Sequence, residues 1–120
     1  MDRIGVNLLS VLDQIRQACS RSGRPAEAVK LLAVSKTFPL ECVLQARAAG
    51  QLLFGENRVQ ELVEKAPLAP PDCEWHLIGH LQRNKVRAAL RCAACIQSVD
   101  SLALLQRINS IAAELQCRPA

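Results

Sequence analysis

The chain has 120 residues, 50% of them hydrophobic, and a formal net charge of +4 at pH 7. That length favours one domain with a modest core, because short chains bury a smaller fraction of their surface than long ones. Basic residues run from Arg3 to Arg118 and alternate with acids, which excludes the clustered basic stripe of a nucleic-acid-binding protein. A weak attraction to phosphate-bearing small molecules is the most that this charge implies.

The first segment, residues 1–24, is predicted to be a helix that precedes the main fold. Gly23 and Pro25 end it, and its apolar residues recur at helical spacing: Ile4, Leu8, Val11, Leu12, Ile15, Ala18 and Cys19. Polar and charged residues interrupt every apolar run, which indicates neither a signal peptide nor a membrane span. We therefore expect a cytoplasmic protein with no membrane partner, in which the 6 cysteines are reduced thiols.

Residues 31–118 are predicted to form four strand–helix units. Short apolar strands begin near residues 31, 52, 74 and 95, and a helical pattern follows each of them. Asp100 or Ser101 is expected to cap the last helix. This alternation predicts an α/β fold with a parallel sheet, and four units make half of an eight-fold strand–helix barrel. A small open α/β sheet is the alternative, although LLAVSKTFP lacks the glycine-rich turn of a nucleotide-binding sheet.

Lys36 ends the first predicted strand and is the first candidate for chemistry. Strand alternation places it on the same face as Leu32 and Val34, opposite Ala33 and Ser35. In a barrel, sites form at this end of the strands, and an amine in a dry barrel mouth is available for Schiff-base formation. The alternative is a strand-end lysine whose ammonium reaches water, and position alone favours that alternative.

The second predicted strand ends in Gly55-Glu56-Asn57. Gly55 permits close approach to the backbone. Asn57 offers a donor and an acceptor at the barrel mouth, and capping of the following helix is an equally good interpretation of it. Glu56 is expected to pair with a nearby arginine.

The third strand carries His76 and His80 on one face. Catalytic zinc needs three protein ligands and no third is evident, so buried, hydrogen-bonded histidines are the better interpretation. Cys92 and Cys95 have CxxC spacing, but a redox motif follows a strand and opens a helix. This pair ends a predicted helix and opens a strand, and no second pair completes a zinc ribbon. We interpret both cysteines as structural.

Four strings carry a family resemblance: LLAVSKTFP, LLFGENRVQEL, EWHLIGHLQRNK and IQSVDS. In order and spacing they resemble the pyridoxal-phosphate homeostasis protein family, also called the proline synthase co-transcribed homologue family. The resemblance implies a parallel (β/α) barrel of the alanine-racemase N-terminal-domain type, of which residues 1–120 would form about half. It also implies that Lys36 carries pyridoxal 5'-phosphate as a Schiff base, with Asn57, His80 and Ser98 near the cofactor ring.

The same resemblance implies a non-enzymatic role in vitamin B6 homeostasis, in which the cofactor is buffered and passed to apoenzymes. Family members are about twice as long, and their phosphate-binding segments lie in the second half. Loss of two charge-assisted hydrogen bonds to the phosphate would lower affinity about a hundred- to ten-thousand-fold. We therefore expect a partial domain with weak loading, and two open sheet edges that favour self-association.

Two other functions remain open. One is a truncated form with little or no cofactor binding. The other is a pyridoxal-dependent enzyme similar to an amino-acid racemase, which needs a second acid/base group that nothing in this sequence supplies.

Overall fold

The computed structural model describes residues 2–120, so Met1, which the predicted first segment includes, lies outside the described residues. Helix α1 spans Arg3–Ser22 and is therefore shorter than the predicted segment. Asp2 begins it by accepting a 2.7 Å hydrogen bond from the backbone N–H of Gly5. Gly23 ends it in the left-handed conformation, with φ of 74°. Within the described residues, no helix combines the length and apolar character needed to cross a membrane.

Four strands alternate with four helices after α1, as predicted. Strands β1 to β4 span Ala33–Val34, Leu53–Glu56, Glu74–Leu77 and Cys95–Ile96. Helices α2 to α5 span Leu40–Ala48, Val59–Lys65, Val86–Leu90 and Leu102–Leu115, and short 3-10 turns lie at Ala26–Ala28, Ala66–Leu68 and Arg83–Lys85. The strands are parallel and lie in the order β1-β2-β3-β4. The predicted α/β class with a parallel sheet is confirmed.

The N-cap predicted for α5 is observed, whereas the N-cap considered for α3 is not. Ser101 is the N-cap of α5, and its Oγ accepts a 3.1 Å hydrogen bond from the backbone N–H of Leu104. Arg58 is the N-cap position of α3 and is still extended, with φ of −114° and ψ of 137°. The interpretation of Asn57 as the cap of α3 is therefore wrong, because the helix begins one residue too late for it.

The sheet has a covered face, on which the helices pack. Phe54 and Trp75 are neighbours across β2 and β3, their ring centroids are 5.5 Å apart, and both are buried. Burial of these two large rings contributes much of the apolar area of the core. By register the covered face also includes Ala33, Ser35, Glu56, Leu77 and Ile96. The core consists of apolar side chains from this face and from helices α2 to α5.

The opposite face of the sheet, here the open face, presents the alternate side chains: Leu32, Val34, Leu53, Gly55, His76, Ile78, Cys95 and Gln97. Val34 is 47% exposed. A Cβ on Gly55 would lie 3.2 Å from Leu32 Cδ2 and 3.4 Å from Ile78 Cδ1, so these two side chains pack over the glycine. The alternation predicted for β1 and β3 is confirmed within these strands, whereas Lys36 and His80 lie beyond the strand ends.

The outer edge of β4 is partly paired. Ile96 N donates to the carbonyl oxygen of Ala120 at 3.1 Å, and Ala120 N donates to that of Ala94 at 2.9 Å. The expectation of two open sheet edges is therefore wrong at β4. After α5 the chain returns to this edge and satisfies its backbone groups there.

Candidate functional site

The parallel sheet brings the four predicted site residues to one edge. Lys36, Asn57, His80 and Ser98 follow β1, β2, β3 and β4 respectively, each within a few residues of the strand end. We call this row the carboxyl edge. Ligand sites in parallel α/β proteins form here, because the loops after the strands converge above the sheet.

Lys36 is exposed at the carboxyl edge. The expectation that its amine lies in a dry barrel mouth is therefore wrong, although its place beside the strand ends is as predicted. The neighbouring Val34 on the open face is also exposed.

Gly79 connects three of the loops at the carboxyl edge. A Cβ at this position would overlap the backbone oxygen and the Oδ1 of Asn57, so only glycine permits the close approach. Ser98 Oγ donates to the carbonyl oxygen of Gly79. His80 Nδ1 lies 3.8 Å from Asp100 Oδ2, an exposed and therefore weak pair. The structure thus joins Asn57 and Ser98 at Gly79, with His80 next to them, while Lys36 lies on a separate turn.

A shallow groove of about 340 Å³ adjoins this cluster. Its lining includes Asn57 and His80 together with Arg58, Gln82 and Lys85, and none of the described residues that line it is acidic. Arginine and lysine beside amide groups are the side chains that favour phosphate. The groove therefore has a lining of the chemistry that attracts phosphate groups.

Sequence reasoning missed a group of polar and charged side chains beside the turn of Lys36, which we call the buried ion network: Ser35, Glu56, Glu61 and Lys65. Ser35, Glu56 and Lys65 are buried, and Glu61 is partly exposed. Lys65 Nζ lies 2.9 Å from Glu56 Oε1 and 3.1 Å from Glu61 Oε2, and donates to the Ser35 carbonyl at 2.8 Å. Ser35 Oγ donates to Glu56 Oε2 at 2.8 Å. Glu56 therefore pairs with a lysine, and the expected arginine partner is wrong.

One ion pair of this network could have been predicted from sequence spacing. Glu61 and Lys65 are four residues apart in α3, the spacing at which opposite charges meet on a helix. Nothing in the sequence indicates that Glu56, the carboxylate at the end of the apolar strand β2, meets the same lysine. Only the packing of α3 on β2 brings the two charges together.

The contacts of Lys65 and Glu61 shift the pKa values of both groups toward their charged forms. Burial of the Lys65 ammonium opposes its charged form, but hydrogen bonds to Glu56 and Glu61 outweigh burial and raise its pKa. The pKa of Glu61 is lowered mainly by the hydrogen bond that its carboxylate accepts from the backbone N–H of Thr37. The hydrogen bond from Lys65 has the next largest lowering effect.

The turn that carries Lys36 has an unusual backbone. Thr37 has φ of 65°, in the left-handed region that β-branched residues rarely adopt. Its N–H donates to Glu61 Oε2 at 2.9 Å, and Phe38 N donates to the Ser35 carbonyl at 3.1 Å. These two bonds close the turn on both sides of Lys36.

The two histidines of the third predicted strand differ: His76 is half-buried and hydrogen-bonded, whereas His80 is exposed, so the interpretation as a buried histidine is wrong for His80. The His76 ring lies 3.2 Å from Glu74 Oε2 and 2.9 Å from Gln97 Nε2, so both ring nitrogens have partners. The described part of the chain brings together no group of His, Cys, Asp or Glu suited to a metal ion. Cys92 and Cys95 are free thiols whose pKa values burial raises, the opposite of a reactive cysteine.

Comparisons with known proteins find relatives of one name. The chain is 41% identical over 116 residues to the pyridoxal phosphate homeostasis protein of Bos taurus, covering 89% of this chain and 42% of that protein. It is 42% identical over 113 residues to the protein of the same name from Escherichia coli strain K12, covering 91% and 48% respectively. The chain thus spans about half the length of the curated relatives that it matches. No protein-family model matches the chain.

Solved structures give the same result. PipY from Synechococcus elongatus PCC7942 with PLP bound has 48% identity and a TM-score of 0.75, over 87% of this chain and 50% of that chain. A protein of unknown function from Bifidobacterium adolescentis has 31% identity and a TM-score of 0.88, over 99% and 55%. These values confirm the resemblance that the four sequence strings predict.

Proposed function

We propose that this chain, a relative of the pyridoxal phosphate homeostasis proteins over about half of their length, binds pyridoxal 5'-phosphate at Lys36. The proposal is carried by the position of Lys36, an accessible amine at the carboxyl edge of a parallel sheet. The unprotonated amine of Lys36 bonds to the aldehyde carbon, and one water leaves as the C=N bond of the Schiff base forms.

Asn57, His80 and Ser98 are proposed to contact the cofactor beside Lys36. Asn57 provides amide donors and an acceptor. Ser98 has committed its hydroxyl proton to Gly79, so its oxygen serves as an acceptor. His80 is largely exposed and free to reorient, since its one ionic contact is the weak pair with Asp100. The groove beside Asn57 and His80 supplies positive charge for the phosphate.

We further propose that the four strand–helix units form about half of a (β/α) barrel of the alanine-racemase type. The support is the parallel order of the strands, the helices on one face only, and an opposite face of partly exposed apolar side chains. A complete barrel would bury that face in its interior. The half-length match to PipY supports the same interpretation.

The proposed role is cofactor storage and transfer to apoenzymes in the cytoplasm, without catalysis. An enzyme active site excludes water around the reacting groups, whereas a carrier must release its cofactor readily. The exposure of Lys36 suits release, because water can attack the C=N bond and return the free aldehyde. The exposure of Lys36 also favours weak binding of the cofactor over tight binding.

A spectroscopic titration tests the assignment of Lys36. Pyridoxal 5'-phosphate added to the protein should produce the absorbance band of a Schiff base, and Lys36→Ala should abolish that band. Lys30→Ala is the matched control, since Lys30 is also exposed and lies outside the carboxyl edge. Equal spectra for wild type and Lys36→Ala would exclude the proposal.

The mass in solution tests the proposed self-association. Because the open face presents apolar side chains and β1 has an unpaired outer edge in the sheet order, we expect the weight-average mass to rise with protein concentration. Sedimentation equilibrium over a hundredfold concentration range measures this. A constant monomer mass of about 13 kDa would exclude self-association.

A further inference from the structure

We infer that Glu61 is a positioning residue for Lys36, through which the buried ion network fixes the turn that presents the amine. This inference rests on the proposed function of Lys36. Glu61 belongs to α3 and is not one of the four carboxyl-edge residues. Its carboxylate contacts the turn by accepting a hydrogen bond from the Thr37 N–H. It is not proposed to touch the cofactor.

The first step of the argument is that the residues on both sides of Lys36 are held by one ammonium group. Lys65 Nζ donates directly to the carbonyl oxygen of Ser35, which precedes Lys36. It also binds Glu61, and Glu61 accepts from Thr37, which follows Lys36. The backbone before and after Lys36 is therefore tied to the same buried charge.

The second step is that the backbone conformation of the turn requires a stabilising contact. Thr37 occupies the left-handed region, which a β-branched residue adopts only when its surroundings impose it. The bond from its N–H to Glu61 is the contact that imposes this conformation from the α3 side. Without that bond we expect the turn to relax to an extended backbone.

The third step concerns Lys36 itself. Its side chain is exposed, so packing does not set the direction of the amine. The backbone of the turn sets the direction of the Cα–Cβ bond from which this flexible side chain extends. We expect a relaxed turn to redirect that bond, so that the amine would react as an ordinary surface lysine.

The test compares Lys36 with a second lysine in the same molecule. Wild type and variants are treated with pyridoxal 5'-phosphate, reduced with borohydride, digested, and the labelling of Lys36 and Lys30 is quantified by mass spectrometry. In the wild type we expect labelling of Lys36 to exceed that of Lys30. In Glu61→Ala we expect this ratio to fall at least threefold, and in Glu61→Gln, which keeps an oxygen acceptor for Thr37, it should fall less.

Amide exchange of the cofactor-free protein gives an independent readout. We expect Thr37 N–H to exchange at least tenfold faster in Glu61→Ala than in wild type. Glu64→Ala is the matched control, because Glu64 lies exposed on the same helix and accepts a 3.4 Å hydrogen bond from Gln60 Nε2, away from Thr37. It should leave both the exchange rate and the labelling ratio unchanged.

The outcomes separate this inference from the proposed function. If wild type labels Lys36 preferentially and a folded Glu61→Ala keeps the same ratio, the inference is wrong and the proposed function stands. If wild type labels Lys36 and Lys30 equally, the proposed function fails and the inference with it. Should Glu61→Ala not fold, Glu61→Asp replaces it, since aspartate keeps the charge but cannot reach both Lys65 and Thr37. An unchanged ratio in Glu61→Asp would likewise overturn the inference.

Discussion

The covered and open faces of the same four-stranded sheet differ in both packing and polarity. On the covered face, Phe54, Trp75 and Leu77 are at most 3% exposed, and even a carboxylate, Glu56, is fully buried with a partner. On the open face, Val34 is 47% exposed and His76 binds polar neighbours beside water. One strand thus contributes to two environments at alternate residues.

This difference shows how the chain divides stability from function. The covered face holds the core and the buried ion network, so it determines whether the sheet exists and how its loops lie. The carboxyl edge carries Lys36, Asn57, His80 and Ser98, most of them exposed. The proposed chemistry therefore depends on side chains of the carboxyl edge, which contribute little to folding. The covered face positions these side chains but takes no direct part in the chemistry.

The largest expected effect comes from breaking the buried ion network. Lys65→Met keeps the length of the side chain but leaves the buried Glu56 without its cation, so we expect a loss of about 3–5 kcal/mol in the free energy of unfolding. Urea denaturation measures this. The control is Asp72→Ala, which breaks the exposed pair with Arg47 and should cost at most about 1 kcal/mol. Equal losses would mean that burial of the pair has no energetic consequence.

Truncation of one apolar side chain on each face gives the next effect. Leu77→Ala should cost about 2–5 kcal/mol, because it leaves a cavity among closely packed side chains. Val34→Ala should change stability by no more than about 0.5 kcal/mol, because Val34 already contacts water. Thermal and urea unfolding of both variants test the comparison. A large loss for Val34→Ala would indicate that the open face is covered in solution, for example by self-association.

Gly79→Ala should have a smaller effect, located at the carboxyl edge. The new methyl group would overlap the backbone of Asn57 and push two loops apart, at a cost of about 1–3 kcal/mol. Gly55→Ala is the control, because its methyl group would meet the ends of two aliphatic side chains that can move. We expect Gly79→Ala also to weaken cofactor loading more than Gly55→Ala. The absorbance titration measures loading, and the reverse order would contradict the proposed contacts of Asn57 and Ser98.

The smallest expected effect is the pH dependence that Glu61 contributes. Its pKa is lower in the folded protein than its ordinary value of 4.5, so its contribution to stability is complete above that pH. The contribution is lost as the pH falls through the folded pKa. We therefore expect the stability difference between wild type and Glu61→Gln to shrink from pH 6 to pH 3. Asp72 and Glu114, whose pKa values are also lowered, titrate in both proteins and cancel in the difference.

Several features were predictable from local sequence because they depend on near neighbours. Helix α1 ends at Gly23, and the strands alternate between their two faces, because capping and side-chain period are local properties. The carboxyl edge was predictable too, since residues that directly follow parallel strands must lie on one side of the sheet. The start of α3 was not, because the extended Arg58 delays the helix by one residue.

The sequence by itself determined the α/β class, the parallel order implied by strand–helix alternation, and the edge to which Lys36 belongs. Only the tertiary structure decided that Lys36 faces water, that Glu56 and Lys65 form a buried pair, and that Ala120 pairs with the edge of β4. Periodicity and capping act between residues a few positions apart, so a sequence records them. Burial and ion pairing depend on which distant segments pack together, and the folded chain alone establishes those contacts.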